Sequence, residues 1–144
     1  MRVIVQRVES AKVEVDSKVV GRIDQGYLLY VGIHVEDDEQ KVIKMAEKVH
    51  NLRVFEDDEQ KMNLPLANKN GSILAISQFT LYGDTKGNNR PSFIQAARPD
   101  QAEKLYLLFV NELKKHHHVE QGVFQAHMKV HSINDGPVTI LIEF

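Results

Sequence analysis

The chain has 144 residues, 42% apolar and 26% charged, with a formal net charge of −2 and no cysteine. That length fits one domain, residues 1–144, with a substantial core, and the lack of cysteine excludes disulfides and thiolate chemistry. No apolar run approaches the roughly 18 residues that span a bilayer, early charges at Arg2 and Arg7 leave no signal-peptide core, and the charge balance excludes bulk coating of nucleic acid. A cytoplasmic protein without membrane contact is expected, and any RNA contact has to rest on a local patch.

In chain order, "MRVIVQRV" reads as a strand. "AKVEVDSKVVGRID" alternates Ala11, Val13 and Val15 with Lys12, Glu14 and Asp16, which predicts a half-buried strand, a turn at Asp16-Ser17 and a second strand. "GYLLYVGIH" (26–34) is a continuous apolar run, the pattern of a strand buried on both faces. The period then changes: Val42, Met45, Ala46, Val49 and Leu52 recur at three- and four-residue spacing behind an acidic first turn, so the spacing predicts a helix over roughly 37–51. "LRVF" reads as a short strand, "NLPLANKNGS" as loop, and "SILAISQFTL" as a strand. After a Gly- and Asn-rich loop (83–92), "RPDQAEKLYLLFVNELKKHHH" is a second helix with Pro99 in its first turn. "VFQAHMKVHSI" alternates Phe124, Ala126, Met128 and Val130 with Gln125, His127, Lys129 and His131. "NDGP" then reads as a turn before a final strand, "VTILIEF". Hairpin-like clusters of strands with two amphipathic helices predict an α+β domain with a largely antiparallel, barrel-like sheet. There is no GxGxxG and no P-loop after any strand, so no nucleotide cofactor is expected.

The consecutive His116, His117 and His118 point about 100° apart while helical and cannot converge on one ion; no metal site is expected. The carboxylates at 36–39 and 57–59 read as solvated caps and turns, and His127 and His131 as a solvated strand face. No Gly-x-Ser-x-Gly elbow is present. Two polar islands remain. One is Ser77-Gln78-Phe79-Thr80, where strand alternation would set Gln78 and Thr80 on one face, able to supply amide and hydroxyl hydrogen bonds together. The other is Asn134 to Thr139, either a plain hairpin turn or a cis Gly136-Pro137 unit presenting two bare carbonyls.

Together, "SQFTLYGDTKGNNRPSF" and "NDGPVT", with "QRV" at 6–8, "KMNL" at 61–64 and the helix ending "LYLLFVNEL", closely resemble the D-aminoacyl-tRNA deacylases. The resemblance implies a homodimer with its active site at the subunit interface. In it Ser77, Gln78, Phe79 and Thr80 form one wall, and a cis Gly136-Pro137 enters from the partner, braced by Arg7. The implied substrates are D-aminoacyl-tRNA and glycyl-tRNA, cleaved at the ester to the 3′-terminal adenosine without a cofactor. Lys86, Arg90 and Arg98 are then candidates for tRNA phosphates, and Phe124 and Met128 for the terminal base. Two alternatives stand beside this reading: a small-molecule esterase using Ser77 or Thr80 as nucleophile, and a noncatalytic tRNA-binding module.

Overall fold

In the computed structural model, which describes residues 1–144, the first two predicted strands are one: β1 runs unbroken over Arg2–Val15. Its alternation buries Val3, Val5, Ala11 and Val13. Asp16 and Ser17 take φ of 49° and 62°, the left-handed pair that lets a two-residue turn match strand twist. The chain returns as β2 (Lys18–Ile23) and then β3 (Gly26–Gly32). These lie end to end along one edge of β1, β3 against Arg2–Val8 and β2 against Ala11–Val15. The other edge of β1 is filled throughout by β8 (Lys129–Glu143). The chain ends therefore meet: the Met1 ammonium donates to Asp37 Oδ1 at 2.7 Å and to the Phe144 carbonyl at 2.8 Å.

Two pairings are parallel, which the hairpin-like clustering does not reveal. β6 (Ser72–Ser77) lies parallel to β3, and β7 (Val119–Gln121) parallel to β6. Parallel neighbours need long crossovers. The first carries helix α1 (Glu39–His50) and a small hairpin, β4 (Arg53–Glu56) with β5 (Met62–Pro65); the second carries helix α2 (Pro99–Lys114). The segment 63–72, expected as loop, thus holds most of β5, a short 3-10 turn at Leu66–Lys69 and the first residue of β6.

Both helices cover one face. Val42, Met45 and Val49 of α1 and Leu105, Phe109 and Leu113 of α2 share a core with Val3, Val5, Tyr27, Leu29 and Ile73. At about 1.5–3 kcal/mol for each fully buried large side chain, this is the main cohesive term of the fold. On the opposite face Val8, Val13, Ile23, Leu28, Leu74 and Ile76 form a second, smaller core, because the sheet curls until β2 approaches β6 and β7. Gly21 permits that approach: a Cβ there would lie 3.0 Å from the Gln121 carbonyl and 3.1 Å from Leu74. The result is the expected α+β fold, mostly antiparallel and barrel-like.

Three local expectations fail. Strand β6 stops at Ser77, and Phe79–Tyr82 is a 3-10 turn, so Gln78 and Thr80 do not share a strand face. Residues 122–128 are not strand, although their exposure alternates as predicted; a turn closes there with Ala126 N–H donating to the Val123 carbonyl. "NDGP" is no hairpin turn, since β8 passes through it as a bulge.

Candidate active site

Ser77 pairs with Val31, and the Gln78 N–H donates to the Val31 carbonyl at 2.8 Å, the last bond of the β6–β3 ladder. The chain then tightens, with Leu81 N–H on the Gln78 carbonyl (3.3 Å) and Gly83 N–H on the Thr80 carbonyl (3.0 Å). Gly32 makes room for this turn: a Cβ there would sit 3.0 Å from Leu81 Cβ and 3.2 Å from the Gln78 carbonyl. Arg2 fixes it from below, donating to the Leu81 carbonyl at 2.8 Å, with its guanidinium 4.6 Å from the Tyr82 ring centre and a 2.9 Å bond to Glu143. The amides of Phe79 and Thr80 stand at the first positions of the turn, where a helical turn has no acceptor of its own to offer. Gln78 Nε2 donates to Thr80 Oγ1, so the turn unites two polar groups that a strand was expected to unite. Neither the Ser77 nor the Thr80 hydroxyl is hydrogen-bonded to a histidine, carboxylate or amine, so neither is activated as a nucleophile here.

Beside the turn lies a mainly apolar cavity of about 640 Å³. Ser77, Gln78 and Phe79 line one side, and Phe93, Phe124 and Met128 others. The 58% exposed Phe79 leans edge-on against Phe93, with ring centres 5.0 Å apart. The structure thus gathers five of the predicted site residues in one concavity. Thr80 sits just outside it. Lys86 and Arg90 do not line it; they project from a neighbouring loop closed by two bonds between Asp84 and Ser92, each 2.8 Å, and neither has an ion-pair partner. Arg98 is at the start of α2, its carbonyl accepting from Ala102 N–H.

The second island is built differently. On β8, Asp135 to Val138 face the single residue Arg7, since Gln6 pairs with Thr139 and Val8 with Asn134. The Gly136-Pro137 bond is cis, and Gly136 has φ of 123°. Asn134 staples the bulge across its base, donating to Thr139 Oγ1 (2.9 Å) and accepting from Val138 N–H (3.3 Å). Arg7, only 5% exposed, holds it from behind. Its guanidinium donates to the Asp135 carbonyl (3.2 Å), the Val54 carbonyl (2.7 Å) and Glu56 Oε1 (2.9 Å). The hydrogen bond from Arg7 is the main reason the Glu56 carboxyl lies below its ordinary pKa. Asp135, Gly136 and Pro137 are left exposed, and none of them lines the cavity of their own chain.

An apolar row links the two regions. Ile76, Tyr30, Ile4 and Leu141 are consecutive cross-strand partners over β6, β3, β1 and β8. The row begins in the cavity wall at Ile76 and ends at Leu141, 58% exposed on the free edge strand and two residues from Thr139. Ile4, Tyr30, Leu141, Arg2 and Gly32 escaped the sequence reading. The available signals were a glycine ending the 26–32 apolar run and isoleucine at an even position of β1, on the face opposite Val3 and Val5. The triple histidine, expected at the end of the second helix, lies beyond it, since α2 stops at Lys114: His116 stacks on His50 (4.2 Å), His117 meets the same His50 (2.9 Å), and His118 meets Glu120 (2.9 Å).

This curled sheet with two helices on one face is shared, nearly whole, by known proteins. A solved structure described as a c-Myc DNA unwinding element binding protein superposes with a TM-score of 0.94 at 38% identity, covering 100% of this chain and 99% of that one. The chain belongs to the D-Tyr-tRNA(Tyr) deacylase family, whose model matches residues 4–143. Proteins named D-aminoacyl-tRNA deacylase from Symbiobacterium thermophilum and Brevibacillus brevis are each 54% identical to it over 144 residues. These alignments span 99% of this chain and 95% and 99% of the respective relatives.

Proposed function

We propose that this chain removes D-amino acids, and glycine, from tRNA as a pair of identical subunits, each site built from the Ser77–Thr80 turn of one and the Gly136-Pro137 bulge of the other. Family membership carries the activity itself, hydrolysis of the ester between a D-amino acid and the tRNA 3′ end. The observation that carries the two-chain site is the apolar row from Ile76 to Leu141. It runs from a cavity that lacks its own bulge toward a bulge that lacks a cavity. A two-fold contact over this row presents the same patch from both subunits and sets each bulge toward the other's cavity.

In this site water adds to the ester carbonyl, and the oxyanion forms against the amides of Phe79 and Thr80. One such donor lowers the barrier by about 3–4 kcal/mol. Collapse breaks the ester bond, and the proton that water loses ends on the departing 3′-oxygen of the ribose, whose neighbouring 2′-hydroxyl can orient the water. Because the α-ammonium already activates the ester, no strong nucleophile is required, in keeping with the unactivated Ser77 and Thr80. The Gly136 and Pro137 carbonyls receive that ammonium. An L side chain is then driven into the braced loop, while a D side chain or a hydrogen escapes it, so selection is by clash and tolerates any D side chain. Phe124 and Met128 receive the terminal adenosine in the cavity, and Lys86 and Arg90 neighbouring phosphates. No helix is long and apolar enough to cross a membrane, and we place the protein in the cytoplasm, where its substrate is made.

The test is release of amino acid from matched D- and L-tyrosyl-tRNA. Rapid loss of the D ester with the L ester intact is expected. Equal rates would overturn chirality selection, and binding of the D ester without shortening its lifetime would make the chain a noncatalytic module. An acyl group trapped on Ser77 or Thr80 would establish the nucleophilic esterase instead.

A further inference from the structure

The exposed side of the sheet beyond the cavity carries a row of like charges that the fold does not need. Lys12 on β1 is the cross-strand partner of both Arg22 on β2 and His131 on β8. The next position along β8 on the same side is Lys129, and His127, two residues before it and outside the strand, lines the cavity. Like charges directly opposed across strands destabilise a sheet. Glu14 relieves part of this cost, accepting from Lys12 at 2.7 Å and lying 3.5 Å from His131. Arg22 and Lys129 have no ion-pair partner and are exposed. Lys12, Arg22 and His131 also line a shallow pocket of about 260 Å³ with the hydroxyl residues Ser10 and Ser132.

We infer that Lys12, Arg22, Lys129 and His131 form a phosphate-binding surface for the acceptor end of the RNA, beyond its terminal nucleotide. The inference rests on the proposed activity for its substrate. The surface starts close to the cavity, because the four residue steps from His127 to His131 span no more than about 14 Å. It extends about 10 Å across three strands. Lysine, arginine and serine are the side chains that position a phosphate backbone without reading sequence, as suits an enzyme that sorts amino acids by hand and not by tRNA. The net charge of −2 makes the surface a local feature and not a consequence of a basic chain.

The experiment compares the wild type with a Lys12→Gln/Arg22→Gln/Lys129→Gln variant on two substrates, intact D-tyrosyl-tRNA and 3′-D-tyrosyl-adenosine, which has no stem. The expected fall in kcat/KM is at least about tenfold larger on the tRNA, and the slope of log affinity against log salt falls by about 2–3. Glu14→Gln, which removes the one carboxylate among these cations, is expected to tighten tRNA binding and steepen the slope by about 0.7–0.9; it decides the matter if the triple variant does not fold. Equal losses on both substrates, an unchanged salt slope, or weaker binding by Glu14→Gln overturns the inference. So does inorganic phosphate filling the pocket without displacing RNA beyond its effect on ionic strength, which would assign the pocket to a free anion. Binding of an uncharged RNA hairpin with a single-stranded 3′ end reads the surface whether or not any ester is cleaved, so this inference and the proposed activity fail separately.

Discussion

The Ser77–Tyr82 turn closes an interior strand, whereas the Asn134–Thr139 bulge interrupts an edge strand. The turn is held by the sheet itself, through the β6–β3 ladder, the bare Gly32 and the Arg2 clamp. The bulge has no strand beyond it and depends on one buried side chain, Arg7, and one staple, Asn134. Interior backbone can be aimed by hydrogen bonds already present for other reasons, while backbone on a free edge has to be braced deliberately. The exposed edge also leaves the bulge able to serve a neighbour, which the interior turn cannot do.

Preventing the proposed pairing of two chains should separate turn from bulge most completely. Leu141→Asp puts a charge on the exposed end of the apolar row. In sedimentation it should shift the protein from twice 16.4 kDa to 16.4 kDa, with deacylation reduced about 100-fold as the reacting groups lose their alignment. Retained activity in a monomer would mean that one chain holds a whole site. Arg7→Ala should cost about 2–3 kcal/mol in urea unfolding, below the about 3–5 kcal/mol of a fully buried ion pair because Glu56 and Asp135 are half-exposed. It should also narrow the ratio of D- to L-ester hydrolysis; an unchanged ratio would show that the brace is irrelevant to selection. Thr80→Ala should lower kcat less than about tenfold, the worth of one neutral hydrogen bond, whereas loss of a true nucleophile costs orders of magnitude more. The smallest effect concerns pH. Glu56 has a folded pKa below its ordinary 4.5, so its stabilising contribution is present above that value and is lost as pH falls through the folded pKa. Glu56→Gln should therefore flatten the acid limb of the stability curve below about pH 4.5, and an unchanged limb would contradict the Arg7 contact.

The helices and the strand-rich, curled α+β character were legible because amphipathic spacing over α1 and α2 and alternation over residues 11–16 are strong local signals. The parallel β3–β6–β7 pairing was not, because a short buried run such as Ile73–Ile76 has the same composition whichever way its neighbours run. Asn134–Pro137 misled for a related reason: residues that favour turns also favour bulges, and only the pairing of Gln6 and Val8 across β8 separates the two. The motif residues proposed for the site came from "SQFT" and "NDGP" and their resemblance to a family. The cavity was not, since Ile76, Phe93, Phe124 and Val130 converge on it from distant segments.

Mixing two inactive variants tests the divided site most directly. One carries Gly136→Val, which forces a side chain into a left-handed position already 3.0 Å from Arg7; the other carries Phe79→Gly, which strips the turn of its aromatic wall. Unfolded together and refolded, they should form mixed pairs in which one of the two sites draws both halves from intact segments, restoring about a quarter of wild-type D-aminoacyl-tRNA hydrolysis by random pairing. If the mixture of folded pairs stays as inactive as its components, the turn and the bulge act within one chain and the two-subunit site is wrong.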